Sequence, residues 1–209
     1  MSRILARLAA FNFFVLLLTF AVGWLSRGRE SLKNIDDPTF TIHFYLGLFA
    51  VLLTLAVHCL IFIYFLGTGR WVKEVAIAYR LPDAPLPRLT RDLKRRTFPV
   101  ALLAMLVPIA AAAAGTAAQR QEWSWKIHAW SAAITLLVNL WAFIIEYRNV
   151  SINAGVIDNV MREVDRIRSE HGLPSNAEAI QAENPKSEIR NPKEISNTKS
   201  EIQTPSPER

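Results

Sequence analysis

The sequence predicts an all-α integral membrane protein with four transmembrane helices arranged in a bundle. Hydrophobic residues make up 51% of the 209 residues and charged residues only 20%, which is typical of membrane proteins and not of soluble domains. Four apolar stretches each reach the roughly 20 residues that a helix needs to cross a bilayer. They define a membrane domain over residues 1–147, with spans at about residues 5–25, 41–66, 98–118 and 127–147.

The first apolar stretch shares features with a secretory signal peptide. Arg3 and Arg7 precede it, and the small residues 21–23 follow its centre like a cleavage site. We interpret it as an uncleaved anchor, because the apolar run continues to Leu25, beyond the usual length of a signal core. In addition, a packed membrane helix would place polar or small residues on one face. Such residues recur here at Asn12, Thr19, Gly23 and Ser26.

The connection between the second and third spans, residues 67–97, predicts the orientation of the protein. It contains eight basic residues against three acidic ones, and an excess of Lys and Arg marks a cytoplasmic loop. With an even number of spans, both termini are then cytoplasmic, in a plasma membrane of the bacterial inner-membrane type. Gly67 is predicted to end the second helix at the membrane surface.

The same connection accounts for much of the net charge of +6. Basic residues near a membrane surface attract anionic lipid headgroups, by about 1 kcal/mol each. The alternative, that the cluster only sets topology, is favoured by how common such clusters are. No nucleic-acid motif accompanies it, and no nucleic-acid partner is expected. The residues predicted to face headgroups are Arg88, Arg91, Lys94, Arg95 and Arg96.

The third span contains Pro108, which requires support from neighbouring helices.

Beyond the fourth span, residues 148–172 predict a cytoplasmic amphipathic helix that ends near Gly172. Its apolar side either packs on the basic connection or pairs with a second copy or another membrane protein. Residues 173–209 predict a disordered, low-complexity tail with a degraded seven-residue repeat. The apolar side consists of Val150, Ile157, Val160, Val164 and Ile167.

The polar residues of the second and fourth spans fall on single helical faces. An ionisable residue inside a membrane helix is costly and usually faces the bundle interior or a cavity. These two faces are therefore the candidate functional sites. The first consists of His43, Gly47, Ala50, Thr54 and His58, and the second of His128, Ala132, Thr135, Asn139 and Glu146.

His43 and His128 are candidate haem ligands. Both spans run in the same direction and each histidine lies near the beginning of its span, so the two imidazoles lie at similar depth. Imidazoles that face one another can ligate a haem iron from both sides, and Gly47 would leave room for a flat cofactor. This arrangement resembles the haem-binding four-helix core of membrane b-type cytochromes. The resemblance implies at most one haem, because Phe143 stands where a second pair would need a histidine.

A packing role is the alternative for this face, and it is the one that the sequence favours. Small and polar residues are enriched at helix interfaces in membranes, where they hydrogen-bond across helices. On this interpretation no cofactor is expected.

His58 and Glu146 are candidates for a proton relay. They lie about one helical turn apart in depth, and two ionisable groups could share a proton there. The alternative, which the sequence favours, is that Glu146 is solvated at the cytoplasmic boundary beside Tyr147 and Arg148. Cys59, next to His58, is expected to be a buried filler.

The sequence carries no recognisable enzyme motif, neither a nucleophile elbow nor a zinc-binding helix. A non-enzymatic membrane subunit or accessory protein is therefore the expected function. The alternatives are an electron-transfer subunit with haem between His43 and His128, and a proton pathway through His58 and Glu146.

Overall fold

A computed structural model describes residues 2–30, 36–83 and 85–183, and all regular secondary structure in these ranges is α-helical. Within the same ranges, four helices are long and apolar enough to cross a membrane, which confirms the predicted class. The elements are α1 (Ser2–Gly28), α2 (Thr39–Ala78), α3 (Leu86–Gln119), α4 (Trp125–Glu170) and α5 (Asn176–Glu183). The chain divides into two compact units, residues 1–160 and 161–209.

The first unit has a core to which α1, α2, α3 and α4 all contribute. One buried cluster joins Leu5, Ile61, Leu93 and Phe143, and a second, smaller one joins Leu16 of α1 to Ala50 of α2. Many large apolar side chains remain exposed on the outer faces, for example Leu137 at 68%. In water these faces would be costly, whereas a bilayer solvates them.

The second helix does not end at Gly67, contrary to the prediction. α2 continues through Gly67 and Gly69 to Ala78. Each glycine costs a helix up to about 1 kcal/mol, but Thr68 between them accepts a hydrogen bond from Asn153 of α4 at 3.0 Å. Val72 beyond them is buried at 1% exposure. Packing of the extended helix therefore outweighs the weak helical propensity of the two glycines.

The predicted basic loop 67–97 is mostly helix, and only residues 79–85 connect α2 to α3. Arg80 turns the chain with a positive φ of 54°. The two terminal guanidinium nitrogens of Arg91, Nη1 and Nη2, donate to the carboxylate of Asp83, at 2.6 and 2.7 Å, across this turn. The membrane thickness limits where a span can leave the bilayer but not where its helix ends. Hydropathy therefore misplaced the end of α2 and the beginning of α3.

The helix predicted over residues 148–172 is not a separate element, because α4 runs without a break from Trp125 to Glu170. Its predicted apolar side includes three buried residues, Val150, Val160 and Val164. The structure thus joins the fourth span and the amphipathic helix into one element.

In the second unit, the prediction of a disordered tail from residue 173 is wrong for α5. A capping box begins this helix: Ser175 N–H donates to Glu178 at 2.8 Å, and Glu178 N–H donates to the Ser175 hydroxyl at 3.3 Å. Asn176 also donates to Asp165 at 2.9 Å. The predicted repeat, residues 184–209, lies outside the described residues.

Pro108 is accommodated inside α3 by a neighbouring helix. Proline has no N–H, so the carbonyl of Ala104, four residues earlier, has no helical donor. The side-chain amide of Asn139 on α4 donates to this carbonyl at 3.4 Å. The expected support for the proline is therefore a specific side chain, and it ties α4 to α3 at this depth.

Candidate functional site: two polar layers between the helices

The first polar layer contains His43, one turn inside the beginning of α2. Its Nδ1 lies 3.1 Å from the backbone oxygen of Thr19 on α1. Gly23 follows Thr19 by four residues, and a Cβ built on Gly23 would lie only 2.6 Å from Cε1 of His43. Since a side chain at this position would cover the carbonyl one turn before it, the glycine is what exposes the Thr19 carbonyl to the imidazole.

His128 on α4 repeats this arrangement against α3. Its Nδ1 lies 2.9 Å from the backbone oxygen of Ala111. Gly115 again follows the carbonyl by four residues, and a Cβ there would lie 2.9 Å from Cε1 of His128. The hairpins α1–α2 and α3–α4 thus each hold one imidazole in the same way, on a glycine and a carbonyl one turn apart. The carbonyls fix Nδ1 as the protonated nitrogen, and the lone pair remains on Nε2.

The two imidazoles face each other between the hairpins. Their ring centroids are 6.0 Å apart and their planes form an angle of 68°. A metal–imidazole nitrogen bond is about 2 Å long and a ring nitrogen lies about 1 Å from its centroid, so two imidazoles on opposite sides of one metal ion have centroids roughly 6 Å apart. The observed 6.0 Å equals that centroid separation, and with their planes at 68° the two rings lie edge to face. Within the described residues, no hydrogen bond joins either Nε2 to another group.

The donor set at this layer consists of two imidazoles. The described part of the chain contains no group of three or more His, Cys, Asp or Glu side chains that could hold a metal ion. An isolated transition-metal ion would therefore have two protein ligands here. A haem iron brings four porphyrin nitrogens and requires two axial ligands, so the pair fits haem better than a bare ion.

The second polar layer is centred on His58, fifteen residues and about 22 Å along α2 from His43. Its Nδ1 lies 2.8 Å from Oε1 of Glu146, and its Nε2 lies 3.0 Å from Oδ1 of Asn139. Phe143 stacks on the imidazole at 5.0 Å between centroids and 8° between planes. His58, Asn139 and Glu146 are all fully buried, at 0% exposure.

The favoured interpretation of Glu146 as a solvated boundary residue is therefore wrong. Glu146 lies with Asn139 on the buried side of α4, the face on which the sequence placed it, while Tyr147 beside it is 47% exposed. The error was the expected solvation of Glu146 at the cytoplasmic boundary. Phe143 does occupy the position opposite His58, as expected, and it covers the imidazole with an apolar ring. Cys59 was also misplaced: it is exposed on the outer face, with its Sγ 4.0 Å from Sδ of Met105.

Buried polar side chains continue from this layer toward the α2–α3 connection. Asn149 donates to the hydroxyl of Thr97 at 2.8 Å. One turn further, Asn153 donates to the hydroxyls of Tyr64 and Thr68, at 3.2 and 3.0 Å. Asn149 and Asn153 were not predicted from the sequence, because they lie beyond the predicted end of the fourth span. The signal was present in the helical spacing, since Asn149 and Asn153 follow Glu146 by three and seven residues.

The predicted headgroup-binding residues lie on the first three turns of α3. Arg88, Arg91, Arg95 and Arg96 are exposed, and Lys94 is half-buried, with its Nζ 5.9 Å from the ring centroid of Phe98. The Arg91 guanidinium is occupied by Asp83.

Comparison with known proteins yields no relative from which a role could be transferred. No family model matches the chain, and neither a curated protein nor a solved structure shows significant similarity to it.

Proposed function

We propose that the protein is a membrane electron-transfer subunit of the b-type cytochrome kind, with one haem held between His43 and His128. One observation carries the proposal: each imidazole is anchored through Nδ1 to a backbone carbonyl above a glycine, and the two rings are 6.0 Å apart. Metal-ligating histidines commonly donate their other N–H in this way, which fixes the tautomer and directs Nε2 at the metal.

The helix faces that carry the pair consist largely of small residues, such as Ala132 and Thr135 on α4. Gly47 and Ala50 on α2 lie against α1: a Cβ on Gly47 would lie 3.7 Å from Cγ2 of Thr19, and Ala50 packs with Val15 and Leu16. A bound haem supplies a reversible one-electron couple. His43 and His128 would hold the iron, and their hydrogen bonds to the Thr19 and Ala111 carbonyls would tune its reduction potential.

The proposal is compatible with the expected non-enzymatic membrane subunit. An electron carrier catalyses no bond-making step by itself and requires a donor and an acceptor, so partner proteins or a second copy are part of it. The basic cluster that includes Arg88 and Arg95 supports an orientation with the α2–α3 connection on the cytoplasmic side, next to anionic headgroups. The His43–His128 layer would then lie near the outer face of an inner membrane.

The direct test is a reduced-minus-oxidised visible spectrum of detergent-purified protein from cells supplied with a haem precursor. We expect a b-type spectrum with two axial histidines in the wild type, lost in both His43→Ala and His128→Ala. His171→Ala is the matched control, since this histidine is exposed and its Nδ1 lies 2.8 Å from the backbone oxygen of Ile167, one turn earlier. A folded, colourless wild type that also fails to bind added haem would refute the proposal and leave the pair as packing residues.

A further inference from the structure

The second layer has a hydrogen-bond pattern that fixes the number of protons it holds. The Nδ2 of Asn139 donates to the backbone oxygens of Thr135, at 3.0 Å, and Ala104, at 3.4 Å. Both acceptors are carbonyls, so the amide nitrogen faces them and its oxygen must face His58. The Nε2 of His58 therefore carries a proton and donates it to the Asn139 oxygen, whether the imidazole is neutral or charged.

The contact between Nδ1 of His58 and Oε1 of Glu146, at 2.8 Å, then contains one proton. Either Nδ1–H donates to a carboxylate, or a carboxylic acid donates to a neutral Nδ1. The pair has no net charge in either arrangement, which explains how two ionisable groups can lie at 0% exposure without a third charged group. The second carboxyl oxygen, Oε2, is buried and accepts no hydrogen bond from the described residues.

Beyond the carboxyl group lies a column of polar side chains, with Asn149, Asn153 and Thr97 buried and Tyr64 and Thr68 half-buried. Asn149 and Asn153 follow Glu146 on the same side of α4, about 5 and 10 Å further along the axis. They donate to the hydroxyls of Thr97, Tyr64 and Thr68, and these hydroxyls donate in turn to the backbone oxygens of Leu93, Val150 and Tyr64, respectively. The column leads toward the α2–α3 connection.

Polar side chains also lie on the other side of His58, toward the beginning of α2. The next group there is Asn139, whose amide nitrogen donates to two backbone carbonyls. Thr54, one turn before His58 on α2, is buried and bonds to Asn12 and to the Ala50 carbonyl of its own helix. Among the described residues, no hydrogen bond joins Thr54 to His58 or Asn139.

We propose that His58 and Glu146 form a proton-binding site that exchanges with water at the α2–α3 end of the bundle. Uptake of one proton from water gives an imidazolium next to a carboxylic acid and changes the charge of the pair from 0 to +1. Release returns the proton to water by the same column. The site is independent of haem at the first layer.

The surroundings make Glu146 the group that controls His58. It is the titratable side chain that bonds to the imidazole from α4, while Cys59 and Tyr64 are the neighbouring titratable residues on α2. In the described part of the chain, no charged residue of α1 or α3 forms an ion pair with His58 or Glu146. The charged residues of α1 and α3 in this half are Arg3, Arg7, Arg88, Arg91, Asp92, Lys94, Arg95 and Arg96.

The test is acid-minus-base infrared difference spectroscopy of the full-length protein reconstituted in lipid, with the buffer exchanged over the film. We expect a pH-dependent signal from carboxyl and imidazole bands that is lost in Glu146→Gln and retained in Glu146→Asp. Thr97→Val should slow the appearance of this signal at least several-fold. Thr54→Val is the matched control, because both threonines are fully buried and both lie at helix interfaces; it should leave the rate unchanged.

Either of two results would overturn the proposal. A difference spectrum that is the same in the wild type and in Glu146→Gln would show that the pair is a structural hydrogen bond only. Equal exchange rates in Thr97→Val and Thr54→Val would show that the column is not the route, and this comparison stands even if the Glu146 variants fail to fold. Neither result bears on the haem spectrum, so the two proposals fail separately.

Discussion

Gly23→Ala should displace His43 and weaken haem binding without removing a ligand. The added Cβ would lie 2.6 Å from Cε1 and 2.9 Å from Nδ1 of the imidazole. Carbon atoms in contact are about 3.5–4.0 Å apart, so the ring must move by about 1 Å. The hydrogen bond from Nδ1 to the Thr19 oxygen, now 3.1 Å, lies on the same side and would be lost or lengthened.

Two estimates give the size of the effect. Overpacking costs about 1–3 kcal/mol, and each 1.4 kcal/mol is a factor of ten in affinity. Loss of a second-shell partner of a metal ligand typically costs 10–100-fold in metal affinity. We therefore expect haem affinity to fall by about 10–100-fold. Gly115→Ala should have a smaller effect, because its Cβ would lie 2.9 Å from the nearest atom of His128.

The assay is a titration of the purified apoprotein with haem, followed by its visible spectrum. Gly155→Ala is the control, since a Cβ at this glycine in α4 would meet no atom within 4 Å. The expected order of affinity is wild type and Gly155→Ala, then Gly115→Ala, then Gly23→Ala. A Gly23→Ala protein with wild-type affinity and spectrum would refute the reasoning, because haem binding would then not require the contact of His43 with Gly23 and the Thr19 carbonyl of α1.

Three further predictions concern the helices that position the two layers. Pro108→Ala restores the missing N–H, which can donate to the Ala104 carbonyl in place of the Asn139 side chain. Hydrogen exchange of the backbone amides in the middle of α3 should therefore become slower. Arg91 lowers the pKa of Asp83, so the stabilisation of the α2–α3 turn should be present above the ordinary pKa of an Asp and lost as the pH falls through the lowered value. Carboxyl NMR titration checks this, and Arg91→Gln should return the pKa of Asp83 toward its ordinary value. Ser175→Ala should cost α5 about 1 kcal/mol of helix stability and raise amide exchange over residues 176–183, whereas a rate unchanged from the wild type would show that the capping box with Glu178 is not what begins the helix.

The part of the candidate site that could be predicted from sequence is its depth along each helix. His43 and His128 were expected at one level because depth follows from counting residues along spans of known rise. The distance between the two imidazoles could not be predicted, since it depends on the rotation of α2 and α4 and on the carbonyl and glycine contacts that α1 and α3 provide. Glu146 shows the same limit: its face on α4 followed from its helical spacing with Asn139, but its complete burial depends on contact with another helix, where His58 of α2 lies 2.8 Å away.

The sequence by itself determined that the chain has four apolar helices long enough to cross a membrane, because hydropathy over about 20 residues is a local property that needs no tertiary contact. Only the tertiary structure decided where those helices end and which polar groups meet. α2 continues through Gly67 because of contacts to α4 that no local pattern reports. Likewise, Gly23 and Gly115 matter only because an imidazole from another helix lies against each of them. Bonds between helices are set by the packing of side chains distant in sequence, and so they become visible only when the helices are placed together.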